Sequence, residues 1–352
     1  MTTTLQEFSD RIVQAAATRT PLCIRGGGSK DWYGQDVQGT VLDTTAYRGI
    51  TDYEPTELVV SARCGTPLAE IEAHLAQHGQ MLAFEPPHFG PGATIGGTVA
   101  AGLSGPRRQA AGAVRDFVLG AVLVDGQGQV LHFGGKVMKN VAGYDVSRLL
   151  AGSLGVFGLI AEVSLKVLPR PVAECTVQLQ ITQDDALRRL NEWGGQPLPV
   201  SASSWHDGVL TVRLSGARSA VDAARTRIGG EALDDADAWW RALREHEGAF
   251  FTDPGGLWRL SLPTVAPSLA APGTQLIEWG GAQRWLRTDA DAGAIRAAAA
   301  RAGGHATLFR GGDRRAGVFQ PLAPAVHAIH RQLKNAFDPA GVFNRGRMYK
   351  DF

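Results

Sequence analysis

Residues 91–108 read Pro91-Gly92-Ala93-Thr94-Ile95-Gly96-Gly97-Thr98-Val99-Ala100-Ala101-Gly102-Leu103-Ser104-Gly105-Pro106-Arg107-Arg108. So many small residues let backbone approach a flat or extended ligand closely. From Gly79 to Pro106 the only ionisable acid or base apart from histidine is Glu85. A diphosphate received here must therefore be offset by backbone N–H groups and by neighbours such as Arg25, Lys30, Arg107 or Arg108. Each such contribution is about 0.3–1 kcal/mol when exposed, so several must converge. A second loop, Arg25-Gly26-Gly27-Gly28-Ser29-Lys30, follows the strand candidate Leu22-Cys23-Ile24. Its successive N–H groups can point inward as a nest for phosphate oxygens. An ordinary glycine turn is the alternative. The loop has neither Gly-x-Gly-x-x-Gly nor Gly-x4-Gly-Lys-Ser/Thr, which points away from a Rossmann site or a P-loop.

Glycine is the compositional outlier, at 44 of 352 residues. Strand and helix patterns continue through the glycine-rich region, so it is not a low-complexity linker. The 35 basic residues nearly balance the 34 acidic ones, which excludes a nucleic-acid-binding basic field. Cys23, Cys64 and Cys175 are far apart with no Cys-x-x-Cys, so no iron–sulfur centre or zinc finger is held by this chain alone. The first residues lack a signal-peptide pattern, and no stretch approaches 18 consecutive apolar residues. A cytoplasmic chain with no membrane span is expected.

Leu5, Phe8, Ile12 and Ala16 have helical spacing. Thr66 and Pro67 are expected to cap and open a helix with Leu68, Ile71 and Leu75 inside. Asp125-Gly126-Gln127-Gly128 predicts a hairpin between Phe117–Val124 and Gln129–Phe133. Leu159 to Leu168 alternates as a strand, and Pro169 and Pro171 mark a boundary. Beyond Glu174 strands and helices alternate with hairpins at 206–208 and 280–281, which reads as a separate α+β domain with a degenerate internal repeat. Leu322, Val326, Ile329 and Leu333 predict a tail helix.

With Val114-Arg115-Asp116, Asn140-Val141-Ala142-Gly143-Tyr144-Asp145 and Gly152-Ser153-Leu154-Gly155-Val156-Phe157-Gly158-Leu159-Ile160, the two loops resemble the FAD domain of the vanillyl-alcohol oxidase and p-cresol methylhydroxylase (PCMH) family. More narrowly, Phe84-Glu85-Pro86-Pro87-His88-Phe89, Gly105-Pro106-Arg107-Arg108, Lys136-Val137-Met138-Lys139-Asn140 and Phe343-Asn344-Arg345-Gly346-Arg347-Met348 look like the FAD-binding E subunits of bacterial glycolate oxidase. The resemblance implies an α+β fold: a two-lobed PCMH-type FAD-binding domain over 1–170, a smaller α+β cap over 171–318, and a C-terminal helix and tail over 319–352 returning to the first domain. It implies FAD contacts from Arg25, Gly26, Gly27, Gly28, Ser29 and Lys30, and from Pro91, Thr94, Gly96, Gly97, Ala100, Gly102 and Ser104. Arg115, Asp116, Gly158, Ile160 and Asn344 complete the expected set, with backbone near Ile160 meeting adenine. Ser29 stands where relatives that bind FAD covalently have histidine, so FAD is expected to be noncovalent.

Oxidising a 2-hydroxy acid needs a hydride acceptor, a base for the hydroxyl proton and cationic donors for the carboxylate. Arg345 and Arg347 suit the carboxylate or the flavin, because guanidinium binds carboxylate bidentately; two solvated terminal arginines are the alternative. His305 is the candidate base, against a structural strand histidine, and His88 has similar status. The catalytic sibling subunit of the complex carries a His-x-Gly-x-Gly-Asn-x-His type cluster in its cap, where this chain offers one histidine. Glu70, His74 and His78 share a helix face, for which a solvated polar stripe is favoured over a metal site; no metal is expected. The resemblance implies electron transfer to an iron–sulfur partner subunit, with iron–sulfur clusters only there. It also implies a small 2-hydroxy acid such as glycolate as substrate, and a peripheral place on the inner membrane through partners. A non-catalytic scaffold with this fold remains the alternative.

Overall fold

The computed structural model describes residues 2–135 and 145–352. The motif residues 136–144 expected near the cofactor lie outside the described residues. The chain runs α1 (Thr3–Thr18), β1 (Leu22–Arg25), β2 (Thr40–Asp43), β3 (Ile50–Glu54), β4 (Val59–Arg63), α2 (Leu68–Ala76), β5 (Gln80–Met81) and α3 (Ile95–Ala101). Next come α4 (Arg108–Ala111), α5 (Val114–Phe117), β6 (Val118–Val124), β7 (Val130–Gly134), α6 (Val146–Leu150), β8 (Leu159–Lys166) and β9 (Leu168–Pro169).

Strands β3-β4-β8-β6-β7 form one sheet, and the parallel pair β1-β2 lies in a separate layer. The predicted hairpin is β6-β7. Helix α1 is capped by Thr2, whose hydroxyl accepts from Leu5 N, and it buries Leu5, Phe8, Ile12 and Ala15; the inner face thus drifts to Ala15 from the expected Ala16. Helix α2 buries Leu68, Ile71 and Leu75 as expected, but Thr66 is not its cap. Thr66 Oγ1 donates to Arg63 O and accepts from Gly49 N, while Leu68 N donates to Ala93 O. The adjoining loop supplies the acceptor that a capping side chain would otherwise provide.

The second half holds β10 (Ala173–Gln180), α7 (Gln183–Gly194), β11 (Val200–His206), β12 (Val209–Gly216), α8 (Arg218–Ile228) and β13 (Glu231–Ala232). Then follow α9 (Ala236–Glu245), α10 (Ala249–Thr252), β14 (Leu257–Ser261), β15 (Thr274–Glu278), β16 (Gln283–Arg287), α11 (Ala292–Arg301) and β17 (His305–Arg310). Their eight strands form one sheet, ordered β13-β10-β12-β11-β15-β16-β14-β17. Strands β10 to β13 are a βαββαβ unit in the order fourth, first, third, second. Strands β14 to β17 repeat that order in mirror sequence, and the units join through the antiparallel pair β11-β15. The second unit replaces its first helix by the loop 262–273. The internal repeat legible in the sequence is thus real, and the join hides both inner edges, which would otherwise expose unpaired backbone.

The last helix, α12 (Pro324–Phe337), begins after Leu322 and returns to the first domain, but not through the whole spaced apolar set. Val326 and Ile329 are exposed, whereas Leu333 and Phe337 meet the core around β6 and β8. Only its C-terminal half reaches the sheet, and there Lys334 is buried. Its ammonium donates to Val156 O, Phe343 O and Asp338 Oδ2 at 2.7–2.8 Å, so all three protons are used. Leu22 then bridges in parallel to Phe343, adding the tail to β1. Among the described residues no helix is long and apolar enough to cross a membrane.

Candidate functional site

The loop after β1 turns at Gly28, whose φ of +75° suits glycine. A Cβ on Gly27 would lie 1.6 Å from Gly92 O, and one on Gly26 would lie 2.3 Å from Thr94 Oγ1. The two glycine loops therefore meet backbone to backbone, which no larger residue permits. Among the described residues the N–H groups of Gly26, Gly27, Gly28, Ser29 and Lys30 donate to no protein acceptor. Beside them runs a groove formed by two adjoining cavities that share Ile24, Gly26, Gly97, Ala100, Leu154 and Asn344. One end is lined by Gly155, Gly158, Leu159 and Ile160, the other by Ser29, Lys30, Asp31 and Arg347.

Thr94 caps α3, accepting from Gly97 N, and Gly102 ends it at φ +67°. A Cβ on Gly102 would lie 2.6 Å from Gly152 Cα, so Gly102 serves packing. Gly97 differs, because a Cβ there meets only Thr94 Oγ1, at 3.3 Å; its bare surface faces the groove. Gly96 borders the groove, whereas a Cβ on it would clash with Cys64. Lys30 Nζ donates to His88 O at 3.1 Å, and burial pushes its pKa down to about 8. Arg25 pairs with Asp31 at 2.6 Å. Arg347 Nη2 donates to Lys30 O and Asp31 O, both at 3.1 Å, so it braces the first loop.

Several expected residues stand elsewhere. Pro91 is exposed and lines neither cavity. Arg345 curls back to Gly341 O and Ala340 O on its own turn. Arg115 is exposed, and Asp116 accepts from Ala113 N at the start of α5. Asn344 is buried, accepting from Ile24 N and donating to Leu154 O. His305 is exposed at the start of β17, and His88 Nε2 is held 2.9 Å from Glu72. His74 and His78 pack edge-on against Tyr53.

Ser104 belongs to a second pocket, where the glycine-loop layer meets the eight-stranded sheet. It is lined by Phe89, Ser104, His246, Arg259, Glu278, Gln283, Trp285 and Phe309, with about 20 Å³ of space. His246 stacks on Phe251 with ring centres 4.0 Å apart, and its Nδ1 is buried without a partner. Burial, reinforced by Arg310, Arg259 and Arg287, holds its pKa well below the usual imidazole range, so it is neutral. Glu278 accepts from Trp285 Nε1 at 2.6 Å and Gln283 Nε2 at 3.0 Å, and burial pushes its pKa up to about 7. Arg259 donates to Tyr33 Oη at 3.2 Å and has no carboxylate partner among the described residues. Phe89 stands between the two sites: its ring lines this pocket and lies 5.8 Å from Lys30 Nζ. Sequence reasoning missed His246, Arg259 and Glu278. No motif joins them, although the left-handed φ of +56° at His246 ends α9.

The groove fits a dinucleotide cofactor on the molecule's own terms. Five N–H groups unbonded among the described residues, a buried lysine that still carries its charge at neutral pH and a bare Gly97 suit a diphosphate. A family described as FAD binding domain matches residues 1–134. Glycolate oxidase subunit GlcE of Escherichia coli is 50% identical over 346 residues, covering 98% of this chain and 97% of that protein. A D-lactate dehydrogenase of Archaeoglobus fulgidus is 27% identical, covering 66% of this chain and 53% of its own. Among solved structures, alkyldihydroxyacetonephosphate synthase superposes with a TM-score of 0.66 at 16% identity, over 96% of this chain and 75% of that one. The extensive identity to the Escherichia coli subunit, together with the PCMH-type FAD-binding fold, establishes that this chain belongs to the glycolate oxidase subunit GlcE family.

Proposed function

We propose that this chain is the FAD-binding subunit of a multi-subunit glycolate oxidase that oxidises glycolate and related 2-hydroxy acids to 2-oxo acids, with a catalytic sibling and an iron–sulfur subunit as partners in the cytoplasm. The observation that carries the reading is the groove with five free N–H groups on one loop and bare Gly97 opposite. FAD would lie along it noncovalently, its diphosphate at Gly26 to Lys30 and its adenine toward Gly158 and Ile160. Residues 1–170 and 319–352 then act as the cofactor domain and 171–318 as the cap.

FAD, when bound, supplies the hydride acceptor. Lys30 contributes charge to the diphosphate, and Arg347 keeps the loop carbonyls turned away from it. In the cap-side pocket Arg259, free of carboxylates, pairs with the substrate carboxylate. His246, neutral at physiological pH, offers its unpartnered Nδ1 as a hydrogen-bond acceptor for the substrate hydroxyl. Glu278, with its pKa pushed up to about 7 by burial, is largely protonated well below that pH and there adds little negative charge beside an anionic substrate. His305 is assigned no role in this pocket, which it does not line.

One observation favours the scaffold alternative: the space beside His246 is small and walled by Phe89, Phe309 and Trp285. Flavin absorbance of the purified chain, with thermal melting at increasing FAD, separates the readings. At 100 times its Kd, FAD adds about 2.7 kcal/mol of stability. Binding by the wild type but not by Gly97→Val, with both folded, supports the groove; equal binding by both overturns it. Glycolate-driven bleaching of the bound flavin distinguishes the enzyme from the scaffold.

A further inference from the structure

A charged cleft lies apart from the groove. It lies where α2 and β5 face α9, encloses about 480 Å³, and includes arginines from both halves of the chain. That volume is within the range of small-ligand sites. Its floor is a buried network: Arg107 bonds Glu85 at 3.2 Å and Glu174 at 2.7 Å, while Arg213 bonds Glu85 at 2.9 Å. Two guanidiniums and two carboxylates there compensate one another.

The rim is not compensated in this way. Arg244 is engaged by Glu245 at 2.8 Å and lies 3.9 Å from Glu72. Glu72 is itself held by His88. Arg170, on the connection into β10, and Arg241, on α9, line the same cleft, and neither side chain has a hydrogen bond or ion pair among the described residues. Asp237 is the remaining rim carboxylate; five arginines and four acids line the cleft, and Glu245 engages Arg244 from outside that lining, so it is the two unpaired guanidiniums and not a net charge that mark the cleft. Two unpaired guanidiniums across one cleft match a ligand with two anionic groups, since each can bind a carboxylate or phosphate bidentately.

We propose that this cleft binds a small polyanion, a di- or tricarboxylate or a phosphate ester, clamped between Arg170 and Arg241. The ligand bridges the connection into β10 and helix α9, and so ties the two halves together. The proposal is independent of the FAD reading, because none of these residues lines the groove.

Calorimetric titration of the full chain with malonate, citrate and inorganic phosphate tests it, at constant ionic strength and against acetate and chloride. The expected result is saturable binding of at least one polyanion, weakened about tenfold by Arg170→Gln or Arg241→Gln and abolished in the double variant. Which polyanion binds distinguishes a carboxylate ligand from a phosphate ligand. Both arginines are exposed, so circular dichroism and FAD binding should match the wild type. No saturable binding up to about 10 mM, or equal binding by the double variant, overturns the proposal.

Discussion

Asn344 Oδ1 accepts a hydrogen bond from Ile24 N at 2.8 Å, while its Nδ2 donates to Leu154 O at 2.6 Å. One buried amide near the C-terminus therefore joins the strand that launches the first glycine loop to the loop that closes the groove. Asn344→Ala should cost about 1–3 kcal/mol for each orphaned backbone group. Urea unfolding checks the stability, and FAD affinity should fall with it because the groove loses a wall.

The two tail arginines should separate cleanly. Arg347→Ala removes the donors that hold Lys30 O and Asp31 O, so FAD affinity should drop about tenfold. Arg345→Ala, on its own exposed turn, should change affinity less than about twofold. Fluorescence titration of both variants makes the comparison, and a larger effect at Arg345 would reverse the assignment.

Lys30 predicts a pH dependence of cofactor binding. Burial lowers its pKa from 10.5 to about 8, and a bound diphosphate would raise it again. Binding then takes up a proton above pH 8, so FAD affinity should decline as pH rises from 8 toward 10, by up to about tenfold per unit. Lys30→Met should bind more weakly at pH 7 and lose the slope.

Glu278 acts on stability. Its folded pKa, about 7, lies above the ordinary 4.5, so the folded chain holds a proton that the unfolded chain releases. Its contribution to stability is fully present below pH 4.5, declines between 4.5 and 7, and is lost above 7. Glu278→Gln should remove that slope and stabilise the protein at pH 8 by about 3 kcal/mol at most. Denaturation at pH 4.5, 6 and 8 measures the difference between the slopes.

Lys334→Met should destabilise the protein about as much as Asn344→Ala, by a different route. It leaves buried Asp338 without its cation and orphans the carbonyls of Val156 and Phe343. Breaking a buried pair by removing one partner costs about 3–5 kcal/mol. A melting temperature unchanged from wild type would show that Asp338 is satisfied by Val342 N and Phe343 N alone.

The sequence by itself determined the elements whose physics is local: the α2 face of Leu68, Ile71 and Leu75, the hairpins at 125–128 and 206–208, the internal repeat, and both glycine loops. These follow from side-chain periodicity and from glycine's conformational range, which act over a few residues. Tertiary structure alone decided the rest. Which glycines touch protein and which face the groove depends on the approach of residues 26–27 to residues 92–94. Whether Arg345 or Arg347 reaches the first loop depends on the path of the tail after Asn344. Burial of Lys334, with exposure of Val326 and Ile329, reverses what helical spacing predicts, because α12 meets the core only at its end. His246, Arg259 and Glu278 carry no local signal; the folding of α9, β14 and β15 around one pocket unites them and sets the burial that shifts the pKa values of His246 and Glu278.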